Sequence, residues 1–153
     1  MKKIIIVFLM AEFFTLSVFG QWSDIDMQVT RATINVMLTQ IDGRLPLPQG
    51  SIQTSPGRYI ARGTGLGGTE RFVVFVTNNF LGVVSVAVTE TGGGAERNFN
   101  LHREVVDRYF TLQNAVSDIN SLRGTLVRDG RRYRFAMDYH PHNQQLVIVV
   151  TRQ

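Results

Sequence analysis

Two imidazoles separated by a single residue, in His140-Pro141-His142, form the tightest pairing of metal-binding side chains in the chain. In an extended strand residues two apart point the same way, so such a pair has the geometry to share a metal ion. A metal site needs three or four ligands, and Asp138 or His102 would have to complete this one. The same residues also make a polar turn between two strands, because proline interrupts the ladder and Asn143 suits the bend. No metal is expected on that reading, and no cofactor. Gly63-Thr64-Gly65-Leu66-Gly67-Gly68 matches the glycine spacing of a dinucleotide-binding turn. That chemistry requires a helix N-terminus directly afterwards to hold the pyrophosphate, yet Thr69-Glu70-Arg71-Phe72-Val73-Val74 reads as a strand. The glycines are therefore expected in a hairpin loop. No Gly-x-Ser-x-Gly elbow occurs, and no serine adjoins a histidine in a recognisable triad order. Chance pairs among the acids carry no argument for glycosidic chemistry.

The remaining cluster is basic: Arg123, Arg128, Arg131, Arg132 and Arg134. On strand alternation Arg132 and Arg134 share a face, and Arg131 sits by the hairpin tip. Arg131, Arg132 and Arg134 are the candidate binding residues. Planar guanidinium forks suit a phosphate, a carboxylate-bearing glycan or an acidic protein surface. The alternative is a solvated strand face whose charges also discourage edge-to-edge pairing.

The elements that would position these residues follow a pattern used twice. Arg62-Gly63-Thr64 and Arg123-Gly124-Thr125 each lead, at the same spacing, to a strand-like run: Arg71 to Val76 and Arg132 to Met137. Ser23 and Asp26 mark a helix start. Ile25, Val29, Ala32 and Val36 form one stripe of that helix, widened by Ile34, Leu38 and Ile41, and Asp42-Gly43 ends it. A connector spans 44–57, carrying Pro46, Pro48 and Pro56-Gly57. Strands are expected over 58–64, 70–77 and 83–91. A second helix is expected with an Asn98 or Asn100 cap and Val105, Tyr109, Leu112, Val116 and Ile119 on one face. Strands over 122–128, 131–139 and 145–152 complete the chain, the first two joined by an Asp129-Gly130 hairpin. Phe135 and Met137 are expected in the core, covered by Leu112 and Val116. Val73 and Phe75 of the earlier strand are expected to form an apolar counterpart to the arginine-bearing patch. The expected fold is α+β: two tandem αβββ repeats, about 23–91 and 98–152, forming a six-stranded, mostly antiparallel sheet with two helices on one face. Tandem helix-plus-meander units also occur in small secreted inhibitor and binding domains, an analogy of architecture alone.

Lys2-Lys3, two apolar runs and Gly20 read as an export signal over 1–20, leaving a single domain over 21–153 and no integral membrane segment after cleavage. Cleavage before Gln21 leaves 133 of 153 residues and takes the net charge from +4 to +3, since Lys2, Lys3 and Glu12 are removed. All 14 remaining basic residues are arginine. A charge of +3 is too small to point to nucleic acid. Absence of cysteine excludes disulfides, thiolate catalysis and a lipidated N-terminal cysteine. The function expected of such a chain is a secreted or periplasmic, non-enzymatic binding module. It would recognise a protein or an anionic envelope component through an exposed sheet face. The alternatives are a small hydrolase or metal protein using His140 and His142, and a structural homo-oligomer subunit.

Overall fold

The computed structural model describes residues 22–79 and 82–153, so the expected export signal lies outside the described residues. Helix α1 (Asp24–Ile41) begins where Ser23 caps it, the Asp26 amide donating to the Ser23 hydroxyl at 3.0 Å. It ends at Gly43, whose φ of +72° allows the left-handed residue that terminates many helices. Four strands follow: β1 (Ile52–Ser55), β2 (Arg58–Thr64), β3 (Glu70–Asn78) and β4 (Gly82–Thr91). Helix α2 (Ala95–Tyr109) then leads to β5 (Thr111–Asp118), β6 (Ser121–Arg128), β7 (Arg131–His140) and β8 (Gln145–Arg152). The strands form one antiparallel sheet in the order β1-β2-β3-β4-β8-β7-β6-β5.

The sheet thus has eight strands, not the six expected, and the αβββ repeat is not its unit. The two additional strands are its edges. β1 lies inside what reads as a connector, and β5 replaces the last turns of the expected second helix. α2 starts and stops earlier because its buried face is Ala95, Asn98, Phe99, His102, Val105 and Val106, and Phe110 is already extended. Val116 and Ile119, expected on that face, are 69% and 84% exposed, and Leu112 is only half-buried. The two Arg-Gly-Thr motifs do not occupy equivalent places either. Gly63 pairs with Arg71 at the end of β2, whereas Gly124 pairs with Phe135 in the middle of β6. A five-residue turn closes the first hairpin. Asp129-Gly130, both at positive φ, closes the second.

Both helices lie on one face of the sheet. α1 packs on β4 and β8, α2 on β5, β7 and β8, and the helices on each other. The inward face of α1 is Met27, Thr30, Ile34, Met37, Leu38 and Ile41. The Ile25, Val29, Ala32 and Val36 stripe points away from this core, with Ile25 75% exposed. Both stripes are apolar, so periodicity alone had two answers; the sheet selects one. Phe135 and Met137 are fully buried, as expected, in the row Tyr133, Phe135, Met137 and Tyr139 beneath the helices.

Candidate functional site

Among the described residues no helix covers the second face of the sheet. Register alone builds its pattern. Ile60, Val74, Ala87, Val149 and Ala136 lie side by side across β2, β3, β4, β8 and β7. Ile52 on β1 extends this row to one edge, and Arg123 on β6 and Val116 on β5 carry it to the other. Seven strand spacings make it roughly 34 Å long. One neighbouring row runs Arg58, Val76, Ser85, Thr151, Arg134 and Thr125. The other runs Arg62, Phe72, Thr89, Val147, Asp138 and Ser121. An apolar stripe is therefore bordered by polar rows, with arginines towards their ends.

The structure divides the expected arginine cluster. Arg132 and Arg134 are exposed on the open face, where Arg132 donates to the Gln113 side-chain oxygen at 2.8 Å. Arg134 makes no hydrogen bond or ion pair among the described residues. Arg123 joins them there, bridging both carboxylate oxygens of Asp138 at 2.9 and 2.8 Å. Arg131 does not. It pairs with Asp42 at the end of α1 at 3.0 Å, as does Arg128 at 3.0 Å, and the Tyr133 hydroxyl donates to the same carboxylate at 2.7 Å. Burial works to raise the Asp42 carboxyl, but these donors outweigh it and hold it below its ordinary range. The same burial, with the hydrogen bond to Asp42, pushes the Tyr133 hydroxyl up. Arg131 is thus a tether of α1 to the β6–β7 hairpin and stands apart from the other two candidates.

Val73 and Phe75 are not the apolar counterpart expected on the arginine-bearing face. They point to the helix side, and Phe72, Val74 and Val76 share the open face with Arg132 and Arg134. Strand β3 is apolar on both sides: Phe75 is buried on the helix side, and Val74 belongs to the apolar row on the other.

The histidines do not converge. Among the described residues no three His, Cys, Asp or Glu side chains come together as a metal would require. His140 ends β7 on the exposed face, and His142 lies in the turn to β8. His102 is buried in α2, its Nδ1 donating to the Asn98 carbonyl at 2.7 Å. Burial pushes its imidazole below the ordinary value, against that hydrogen bond and the nearby Glu90 carboxylate. Glu90, fully buried, accepts from Arg71 Nη2 at 2.7 Å and from Asn98 Nδ2 at 2.8 Å. The glycine-rich turn closes over this group and leads into β3, as a hairpin loop does. A side chain at Gly65 would run into the Glu90 carboxylate and the Thr69 hydroxyl. Gly65 thus serves close packing, and Gly67 and Gly68 take the positive φ of the turn.

The described residues form an α+β fold with two helices on one eight-stranded antiparallel sheet. Comparison with known proteins gives no match: no family model, no curated protein and no solved structure is significantly similar. The sequence signal for this face was the alternation of Phe72, Val74 and Val76, of which Val74 lies in the apolar row itself. Ile52 and Val116, at the row's ends, have no such signal because their strands carry no regular pattern.

Proposed function

We propose that the chain is an exported, non-enzymatic binding module whose open sheet face recognises a protein or an anionic envelope component. The observation that carries this reading is the apolar row bordered by exposed arginines. An apolar stripe with a charged rim is the anatomy of a protein interface, and arginine is favoured at energetic hot spots. Among the described residues Arg134 has no hydrogen-bond or ion-pair partner, and guanidinium forks at the rim complement carboxylates. A partner presenting an apolar strip edged by acidic side chains fits this surface best.

The test uses the chain from Gln21 onward as bait in an envelope extract, beside a variant with Arg132→Ala and Arg134→Ala. Capture of one partner by the parent and its loss in the variant, with both melting at the same temperature, is the expected result. Undiminished capture by the variant overturns this reading. Because the row reaches exposed Ile52 and Val116 at both sheet edges, self-association is the competing outcome, and light scattering of the bait alone separates it. Intact mass of protein recovered from an exporting host checks the export step, with loss of residues 1–20 expected.

A further inference from the structure

Strand β5 ends the sheet, so among the described residues one side of its backbone meets no other strand. It has eight residues, against four in β1 at the opposite edge. Sheets commonly guard a long edge with lysine or proline, and Thr111–Asp118 contains neither. A bulge between Gln113 and Val116 interrupts the ladder, with Asn114 at φ +53°. Backbone pairing along this edge is therefore confined to short stretches, and a partner strand needs side-chain contacts to hold it.

The helix side supplies them. There α2 and the β5–β6 hairpin border a cavity of about 500 Å3, within the range of ligand sites. Phe110, Leu112 and Leu122 make its wall apolar, and Ala115 and Ser117 of β5 are too small to fill it. Its charged residues are Arg103, Glu104 and Asp107. Arg103 is committed: it donates to the Asp118 and Ser121 carbonyls and lies 4.8 Å over the Phe99 ring. Glu104 accepts from Arg108 through Oε1 at 2.7 Å. Asp107 is exposed and has no hydrogen bond or ion pair among the described residues. The unmet charge of the cavity is thus negative, in a chain whose net charge is positive.

We propose that the β5 edge and this cavity together take an extended basic segment of a partner protein, which adds a strand to the sheet and seats one arginine or lysine side chain in the cavity. Paired strands lie about 4.8 Å apart, so a side chain of the added strand must cross β5 to reach it. The long stem of arginine or lysine spans that distance, lies along Leu112 and Phe110, and brings its charge to Asp107. A short apolar side chain stops before the cavity, and an acidic one meets Asp107 and Glu104 as like charges. The cavity lies on the other side of the sheet from Arg132 and Arg134 and is a second, separate site.

Titration calorimetry of the full chain with a capped heptapeptide of alternating threonine and valine, arginine at its centre, tests this. Saturable one-to-one binding is expected, and glutamate in place of the central arginine should weaken it about tenfold or more. Asp107→Asn should weaken the arginine peptide about tenfold and leave the affinity of an alanine-centred peptide as it was. Ser117→Trp fills the cavity from an exposed strand position and should abolish the preference for arginine over alanine. Should that variant melt early, Ala115→Phe serves the same purpose. Amide hydrogen exchange should slow in β5 when the peptide binds, as strand addition requires. Absence of saturation, equal affinity for the glutamate peptide, or unchanged binding by Asp107→Asn overturns the proposal, as does protection elsewhere that spares β5. Self-association of the chain alone that Ser117→Trp abolishes gives the edge to a second copy and overturns it too.

Discussion

The two halves of the sheet meet the helices differently. In β5–β8, Leu122, Leu126, Phe135, Met137, Ile148 and Val150 are all buried beneath them. In β1–β4 the buried apolar side chains are Phe75, Val83, Val86 and Val88, while Tyr59, Ala61 and Val73 stay half-buried on the same side. Width explains this. Eight strands span roughly 34 Å, and two helices side by side cover about 20 Å. The helices pack over β4, β8, β7 and β5, so the shortfall collects over β2 and β3, where α1, β3 and β4 border a groove of about 370 Å3 lined by Val29, Val36, Val73, Phe75 and Val88. A sheet wider than its helical layer therefore leaves apolar surface uncovered in one half, at the groove, whereas the apolar row of the second face crosses both halves.

Alanine at Phe135 and at Phe75 tests the contrast most directly. Phe135 is enclosed, and its truncation should cost about 3–5 kcal/mol in urea unfolding. Phe75 borders the groove, so the space left by truncation joins an existing opening instead of forming a sealed cavity. About 2–3 kcal/mol is expected there. Equal losses would mean that the first half is packed as densely as the second.

Much of this arrangement was readable beforehand. Six strands, the Ser23 cap, the Asp129-Gly130 turn and the burial of Phe135 and Met137 follow from periodicity and turn chemistry. The missing strands are the two edges. Ile52–Ser55 is exposed throughout, and of Thr111–Asp118 only Leu112 is even half-buried, so neither carries the alternation that burial imposes. Val105, Tyr109, Leu112 and Val116 match a helical period, but tertiary pairing of Thr111 with Val127 claims that segment for the sheet. Alternation placed Arg132 and Arg134 on the exposed face. It could not show that Arg131, one residue away, reaches back to Asp42. The groove was illegible because Gln40, Arg71 and Val88 come from separate elements.

Asp42 anchors the well-covered half, and its effect should be smaller and dependent on pH. Asp42→Ala removes the acceptor of Tyr133, Arg128 and Arg131, and should cost about 2–3 kcal/mol at pH 7. The folded carboxyl titrates below the unfolded one, so its contribution is complete above about pH 4, the unfolded value, and is lost as pH falls through the folded value. Urea midpoints of parent and variant should thus differ at neutral pH and converge in acid. A difference that persists at pH 2 would assign the loss to packing at the end of α1.

The smallest expected effect concerns the arginine–carboxylate pairs that each half forms between neighbouring strands. Arg71–Glu90 lies on the helix side, with the Glu90 side chain 1% exposed. Arg123–Asp138 lies on the open face, with Arg123 58% exposed. Water and salt screen the second pair, and ordering two side chains offsets much of its attraction, so Arg123→Ala should cost under about 1 kcal/mol. That loss should shrink further as ionic strength rises. Calorimetric melting at low and high salt measures both. A loss above about 2 kcal/mol, insensitive to salt, would require Arg123 to be shielded from solvent. The second face of the sheet would then be covered in solution, and the row from Ile60 to Ala136 would already be occupied by another chain.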